Sequence, residues 1–198
     1  MRISVQNVKS LLSSVASDSR GAFECFYNLY YDQIFRFAYY CLGEKEACKE
    51  VVSDVFFSIW KSKARLKDID NIETYLYTTV RNEALRYQSR NKSFDEVPAD
   101  ELFQFEPKEE TTPEELLETE EMREILNQAI DELPEKCRLI FLMTRREGLK
   151  TKEIARILSI QESTVRVQMK IAIERLITRL RSDFPDISFI FVLMSIFS

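Results

Sequence analysis

The segment from Leu133 to Leu180 repeats its apolar residues at helical spacing twice, on either side of a short break. The repeating positions are Ile154, Ala155 and Leu158 before the break, and Val165, Met169, Ala172 and Leu176 after it. The connection, about Ser159 to Ser163, is so short that the two helices must pack at a sharp angle. The pattern therefore predicts a helix-turn-helix.

The second helix of this pair has the character of a DNA recognition helix. Residues near the N-terminal end of such a helix reach the base edges. Arg166 is the expected base reader, because a guanidinium bonds two acceptors of a guanine at once, whereas the ammonium of Lys170 acts as a point charge. The other outward positions are Val167 and Ile171. The alternative is an ordinary helical hairpin with a solvated basic face.

Ser159 occupies a position of the turn at which Gly is common. If its φ is positive, the side chain costs on the order of 1 kcal/mol. The sequence therefore predicts a strained connection if the turn has the usual geometry.

The scarcity of Gly and Pro constrains the whole chain. With 3 Gly and 5 Pro in 198 residues, tight turns are few, so we expect an all-α protein, and a hydrophobic content of 45% supports packed cores. The sequence contains no His, which excludes Ser-His-Asp triads, Cys-His pairs and His-containing zinc sites. We therefore expect neither enzyme activity nor a cofactor or metal.

Four cysteines, Cys25, Cys41, Cys48 and Cys137, show no C-x-x-C spacing. We interpret them as structural thiols in a reducing cytoplasm, with a redox role as the alternative. The N-terminal segment has no continuous apolar core of the kind found in signal peptides, which also favours a cytoplasmic location.

Charge divides the chain into three parts. Residues 1–90 carry 13 basic and 11 acidic residues, residues 91–135 carry 3 and 16, and residues 136–198 carry 12 and 6. Two basic modules on an acidic tether fit two nucleic-acid-contacting domains better than one globule. The tether loses helical periodicity between Asn91 and Thr112, and a new helix is predicted to start at Thr112 or Pro113. The tether is either a solubilising spacer or a nucleic-acid mimic that lies in a basic groove or shields the C-terminal module.

Residues 21–90 predict three helices. In the second, the apolar stripe contains Cys48, Val52, Val55 and Ile59, widened by Val51, Phe56 and Trp60. The stripe leaves Glu50, Ser53 and Asp54 toward solvent or a partner.

The third helix begins with Tyr75, Tyr77 and Thr78 and continues with Arg81, Asn82, Arg86 and Arg90. Aromatic rings stack on unpaired bases while arginines hold the backbone, and the preceding loop, Arg65 to Asn71, could receive a flipped base. An ordinary half-buried helix is the alternative.

These segments together resemble a known family. They are AFECFYNLYYDQIFRFAYYCLGEKEACKEVVSDVFFSIWKSK, a helix ending TVRNEALRYQSR, the acidic tether, and LPEKCRLIFL followed by KTKEIARILSIQESTVRVQMKIAIERL. The chain is similar to extracytoplasmic-function (ECF) sigma factors of the sigma-70 family over roughly residues 20–181.

The resemblance implies an architecture of two small helical domains. A σ2 helical bundle would occupy residues 1–91 with a short extension at 1–19, an acidic flexible linker 92–112, and a σ4 helix-turn-helix domain 113–181, before an apolar tail at 182–198. It implies binding to core RNA polymerase through the β′ clamp helices and the β flap, recognition of promoter DNA, and control by an anti-sigma factor that is often membrane-bound. The linker would lie toward the RNA channel of the polymerase.

Site residues are also implied by position. The −35 element would be read by Arg166, Val167, Lys170 and Ile171, with Lys152, Thr164 and Gln168 toward phosphates. The −10 element would be recognised by Arg65, Asn71, Tyr75, Thr78, Arg81 and Asn82. The polymerase would meet Glu50, Ser53, Asp54 and Phe56. Three positions depart from the family pattern: Ser53 replaces a frequent Gln, Tyr75 a frequent Trp, and Ile171 a common basic residue.

The tail ISFIFVLMSIFS has 12 mostly apolar residues, fewer than the roughly 20 that span a bilayer. It is interpreted as packed on the σ4 domain or as an aggregation-prone end, with docking on a regulator as the alternative. The rival to a sigma factor is a stand-alone, dimeric helix-turn-helix regulator, and a helical enzyme or scaffold is a more distant one.

Overall fold

The computed structural model describes residues 5–91 and 124–183, and every regular element in these two ranges is helical. The chain divides into two compact units. The first contains α1 (Val5–Ala16), α2 (Arg20–Leu42), α3 (Lys45–Lys61), a 3-10 helix (Lys63–Asp68) and α4 (Ile72–Asn91). The second contains α5 (residues 124–131), α6 (Glu135–Arg145), the Thr151–Ala155 part of α7 (Thr151–Leu158) and α8 (Glu162–Asp183). The fold class is therefore all-α, as the scarcity of Gly and Pro predicted.

In the first unit α2, α3 and α4 pack against one another. Their core contains Phe26, Ile34 and Phe37 from α2, Val51, Val55 and Ile59 from α3, and Leu76, Tyr77 and Val80 from α4. The three predicted helices of this region are confirmed. The long α2 ends at Gly43, whose φ of +73° and whose N–H bond to the Tyr39 carbonyl at 2.9 Å complete a left-handed cap.

Part of the expected N-terminal extension is helical. Residues 5–16 form α1, which packs against α2 and the 3-10 helix and buries Leu12 and Val15. A salt bridge of 2.9 Å joins Asp18, just after α1, to Lys63 at the start of the 3-10 helix. Among residues 7–16 of α1, Leu12 and Val15 are the buried side chains, so the apolar pattern of this part of the helix is short.

In the second unit α6 packs against α8. The predicted helix-turn-helix is confirmed as α7 and α8, with Ile154, Ala155, Val165, Ala172 and Leu176 buried. Leu158 and Met169 are half-buried instead, while Ile157 is fully buried.

Ser159 ends α7 in the left-handed region, with φ +54°. The Ser159 N–H bonds the Arg156 carbonyl and the Ile160 N–H bonds the Ala155 carbonyl at 3.0 Å, which is the hydrogen-bond pattern of a Schellman cap. The strain expected at this position is therefore present.

The start of the σ4 region at 112–113, the acidic linker and the apolar tail lie outside the described residues.

We predict that Ser159→Gly raises the free energy of unfolding by about 0.5–1 kcal/mol. Gly adopts a positive φ without the steric strain of a Cβ, and this relief is larger than the additional backbone entropy that Gly loses on folding. Urea unfolding of the full chain measures this change. The control is Gly148→Ala, at a residue with φ +65° and open space around the added Cβ, which should destabilise through backbone strain alone. Equal effects of the two substitutions would contradict the account of the turn.

Candidate polymerase and promoter-binding surfaces

The solvent face of α3 carries the predicted polymerase-binding residues. Glu50, Ser53 and Asp54 are exposed, and they occupy successive turns of the same helix face. Phe57 continues this face at i+3 from Asp54 and is 59% exposed. The Lys61 ammonium lies 4.3 Å from the centroid of its ring. The face therefore combines two carboxylates with one exposed aromatic ring that has Lys61 against it.

Phe56 is a correction to the predicted set. Its side chain is only 4% exposed, so it does not lie on the surface that a partner would contact. The ring centroid is 4.5 Å from that of Tyr27 and 6.2 Å from that of Phe26, both on α2. Phe56 thus holds α3 on α2, as its place in the apolar stripe had indicated. Phe57 was missed, although its spacing from Ser53 and Asp54 was a usable signal.

Arg90, the last of the arginines predicted to follow single-stranded DNA, lies beside α3. Its guanidinium lies 3.7 Å from Glu50 and 4.0 Å from Asp54, both on the exposed face of α3. The end of α4 is therefore electrostatically linked to the predicted polymerase-binding residues.

The predicted −10 residues lie on the 3-10 helix and on α4. Arg65 is exposed, whereas Leu66 beside it is buried and anchors the segment, which is a 3-10 helix over most of the predicted loop. Asn71 caps α4, because its Oδ1 accepts the Thr74 N–H at 2.9 Å. This cap fixes where the helix begins and hence the direction of the side chains that follow.

On α4 itself Tyr75 and Thr78 are half-buried on one face, followed by the exposed Asn82. Arg81 is half-buried beside them. Leu85, which the sequence analysis did not single out, is 46% exposed seven residues after Thr78 and extends this face.

Tyr77 cannot stack on a base. The ring is 1% exposed, it meets Phe37 edge to face at 4.7 Å, and its hydroxyl accepts a hydrogen bond of 2.6 Å from Gln33. One of the two tyrosines interpreted as stacking residues is therefore part of the core.

The start of α8 presents the predicted −35 residues. Arg166 is exposed and donates to Glu162 at 3.1 Å, and Lys170 lies 3.7 Å from Glu174. Val167 between them is 54% exposed, and Ile171 is half-buried. Lys152 on α7 and Thr164 on α8 are also exposed. Both cations are thus held by carboxylates of their own helix.

Gln168 is half-buried, and its place toward the phosphates stays a prediction. Its Oε1 accepts a hydrogen bond of 3.0 Å from the thiol of Cys137 on α6, which holds one end of the amide against α6. Glutamine is polar, and this buried partner was not visible in the helical pattern.

The cysteines differ in exposure. Cys48 and Cys137 are buried, Cys41 is half-buried and Cys25 is exposed, and none is in a disulfide. Burial, followed by the nearby Glu44 charge, raises the pKa of the Cys48 thiol to about 12, so this thiol stays protonated at neutral pH. A structural role is therefore supported for Cys48.

Comparison with known proteins identifies both units. The sequence model of sigma-70 region 2 matches residues 26–94, and that of sigma-70 region 4 matches residues 123–176. Together the two matches cover more than half of the chain. The region 2 match contains α3 and the described surface of α4, and the region 4 match contains α7 and the start of α8.

Two relatives carry the same regions. The ECF RNA polymerase sigma-E factor of Escherichia coli (strain K12) is 32% identical over 124 residues, which are 59% of this chain and 65% of that protein. The ECF RNA polymerase sigma factor SigE of Mycolicibacterium smegmatis is 24% identical over 143 residues, which are 68% of this chain and 52% of that protein. The chain thus matches just under two thirds of the Escherichia coli protein.

Two solved structures share the fold. One is CnrH in complex with the cytosolic domain of CnrY, with a TM-score of 0.57 and 18% identity over 89% of this chain and 98% of the other. The second is the sigma factor RpoE in complex with the anti-sigma factor NepR from Bartonella quintana, with a TM-score of 0.58 and 18% identity over 81% and 98%. The chain belongs to the sigma-70 family.

Among residues 5–91 and 124–183, none of the helices has the length and apolar character needed to cross a membrane.

The two adjacent phenylalanines of α3 should behave differently on truncation. We predict that Phe56→Ala lowers the free energy of unfolding by about 3–5 kcal/mol, because it empties a buried aromatic site. Phe57→Ala, the matched control on the exposed face, should change it by no more than about 0.5 kcal/mol. Chemical denaturation measures both, and a large loss for Phe57→Ala would show that this ring is structural.

Proposed function

We propose that this chain is a sigma factor that binds core RNA polymerase and directs promoter-specific initiation of transcription, recognising −35 and −10 elements and assisting melting. The observation that carries the proposal is the presence, in one chain, of a region 2 unit with an exposed acidic face on α3 and a region 4 unit with Arg166, Val167 and Lys170 exposed on α8. The relatives named above are themselves ECF RNA polymerase sigma factors. The chain's role is binding, and it contributes no covalent chemistry.

The polymerase contact is proposed to be Glu50, Ser53, Asp54 and Phe57, set against the β′ clamp helices. The carboxylates supply attraction to a basic partner and set the register of docking, while the exposed part of the Phe57 ring supplies apolar area. Phe56 acts indirectly, because its packing against α2 fixes the orientation of α3. The region 4 unit would meet the β flap.

The −10 contact is proposed to involve Arg65, Asn71, Tyr75, Thr78, Arg81 and Asn82. Arg65 and Asn82 are exposed and suit the sugar-phosphate backbone, and the Tyr75 ring lies in the first turn of α4, where it is able to stack on an unpaired base. Leu85 adds apolar surface further along the same face.

The −35 contact is proposed to be made by Arg166, Val167, Lys170 and Ile171 in the major groove, with Lys152 and Thr164 toward phosphates. Val167 offers an apolar contact of the kind that recognises a thymine methyl group. Gln168 is proposed to lie toward the phosphates as well, with its Oε1 held by the thiol of Cys137.

Regulation by an anti-sigma factor is part of the proposal. Support comes from the fold, which is shared with a sigma factor crystallised with the anti-sigma factor NepR. We further propose that the protein acts in the cytoplasm and that the acidic linker lies toward the RNA channel of the polymerase.

The experiment that tests the proposed function is runoff transcription with purified core polymerase and genomic DNA of the source organism, followed by mapping of transcript starts. New starts that share upstream −35 and −10 elements are expected only when this protein is added. The absence of new starts with a folded protein would overturn the proposal.

The recognition helix should separate base reading from phosphate binding. We predict that Arg166→Ala costs about 1–3 kcal/mol of promoter binding by the holoenzyme and relaxes specificity at one −35 position, because a bidentate base contact is lost. Lys152→Ala should weaken binding to all sequences alike. Affinities for cognate and scrambled −35 elements measure this, and equal losses for both variants on both DNAs would refute the assignment.

A further inference from the structure

Arg90, near the end of α4, lies among three carboxylates. One guanidinium nitrogen of Arg90 is 3.7 Å from Glu50, 4.0 Å from Asp54 and 3.9 Å from Glu83. Glu50 and Asp54 belong to α3, so the cluster joins the two helices. The sequence pattern grouped Arg90 with the arginines predicted to bind DNA. In the structure Arg90 lies beside two of the proposed polymerase-binding residues.

Glu83 has a closer partner than Arg90. Arg86 donates to Glu83 at 3.1 Å, within hydrogen-bond range. Arg90 is thus the cation nearest to Glu50 and Asp54 among the salt bridges found in the described part of α3 and α4. The charge of this arginine reduces the attraction that the two carboxylates exert on an approaching basic surface.

The contacts of Arg90 are of a kind that a partner can displace. All three distances exceed the 2.7–2.9 Å of a charge-assisted hydrogen bond. The side chains of Arg90, Glu50 and Asp54 are about half exposed. The pairs with Glu50 and Asp54 are therefore weak and are screened by salt, whereas Glu83 is mostly buried and retains Arg86 as its closer partner if Arg90 moves away. Exchange of Arg90 for a better-placed cation therefore costs little.

We infer that Arg90 is an internal counter-ion for Glu50 and Asp54, and that a basic surface of core RNA polymerase takes its place when the polymerase binds. Arg90 thereby limits the affinity for polymerase. The inference rests on the proposed function and adds to it a residue that sets the strength of the polymerase contact.

Three variants of the full chain test this role by equilibrium binding to core polymerase without DNA. Arg90→Gln should strengthen binding about two- to tenfold at low salt, because it removes the competing cation, and the gain should shrink as salt rises. Arg90→Lys keeps the charge and should resemble the unmodified protein. Arg86→Gln is the matched control, since it removes one positive charge a single turn away, beside Glu83 only, and should change the affinity less than twofold.

Thermal unfolding of each variant accompanies the titrations, and Arg90→Ala serves as a second neutral variant if Arg90→Gln is poorly folded. If the unmodified protein binds and neither neutral variant binds more tightly, the counter-ion role is overturned while the proposed function stands. Equal gains for Arg86→Gln and Arg90→Gln would also overturn it, because they would reflect net charge alone. Failure of the unmodified protein to bind core polymerase would overturn the proposed function, and this inference with it.

Discussion

The division of α3 into a buried and an exposed face is the constraint on which the first unit depends. Val51, Val55 and Ile59 are buried in the core, and Phe56 lies among the aromatic rings of α2. Burial of such side chains contributes about 1.5–3 kcal/mol each, so the rotation of α3 about its axis is fixed by packing. Glu50, Asp54 and Phe57 therefore all face solvent on the opposite side of the helix. The proposed polymerase contact is thus a consequence of how the opposite side of the same helix is filled.

The helix-turn-helix depends on a short connection in a strained backbone conformation. Ser159 holds a left-handed conformation that lets α7 end and α8 begin within four residues. Because α8 buries Val165, Ala172 and Leu176, the side chains of Arg166 and Val167 are directed outward near its start. Each unit therefore orients its binding residues by the same means, an amphipathic helix whose buried face determines the exposed one.

Helices α2 to α4, α7 and α8 were predictable because each repeats apolar residues over several turns. The two-region architecture was predictable from the order of the segments. Phe56 and Phe57 show that the pattern and the family resemblance can disagree, since the apolar stripe placed Phe56 in the core while the resemblance placed it on the polymerase-binding surface, and the structure buries Phe56 and exposes Phe57. Gln168 and Arg90 show a limit of the pattern, because their partners Cys137, Glu50 and Asp54 are more than 30 residues away in sequence. Helical periodicity alone predicts that a polar residue faces solvent. Whether a neighbouring helix supplies it with a partner depends on tertiary packing, which the periodicity does not describe.

The central claim is that one chain recognises promoters through two helical units and does so as part of a polymerase complex. The most direct measurement is sequence-specific DNA binding, by fluorescence anisotropy, of the protein alone, core polymerase alone and the two together on a promoter mapped from its own transcripts. The account predicts discrimination between the promoter and a scrambled sequence only for the mixture, with both the −35 and −10 elements required. Tight binding of a palindromic site by the protein alone, unaffected by polymerase, would contradict it and indicate a stand-alone regulator.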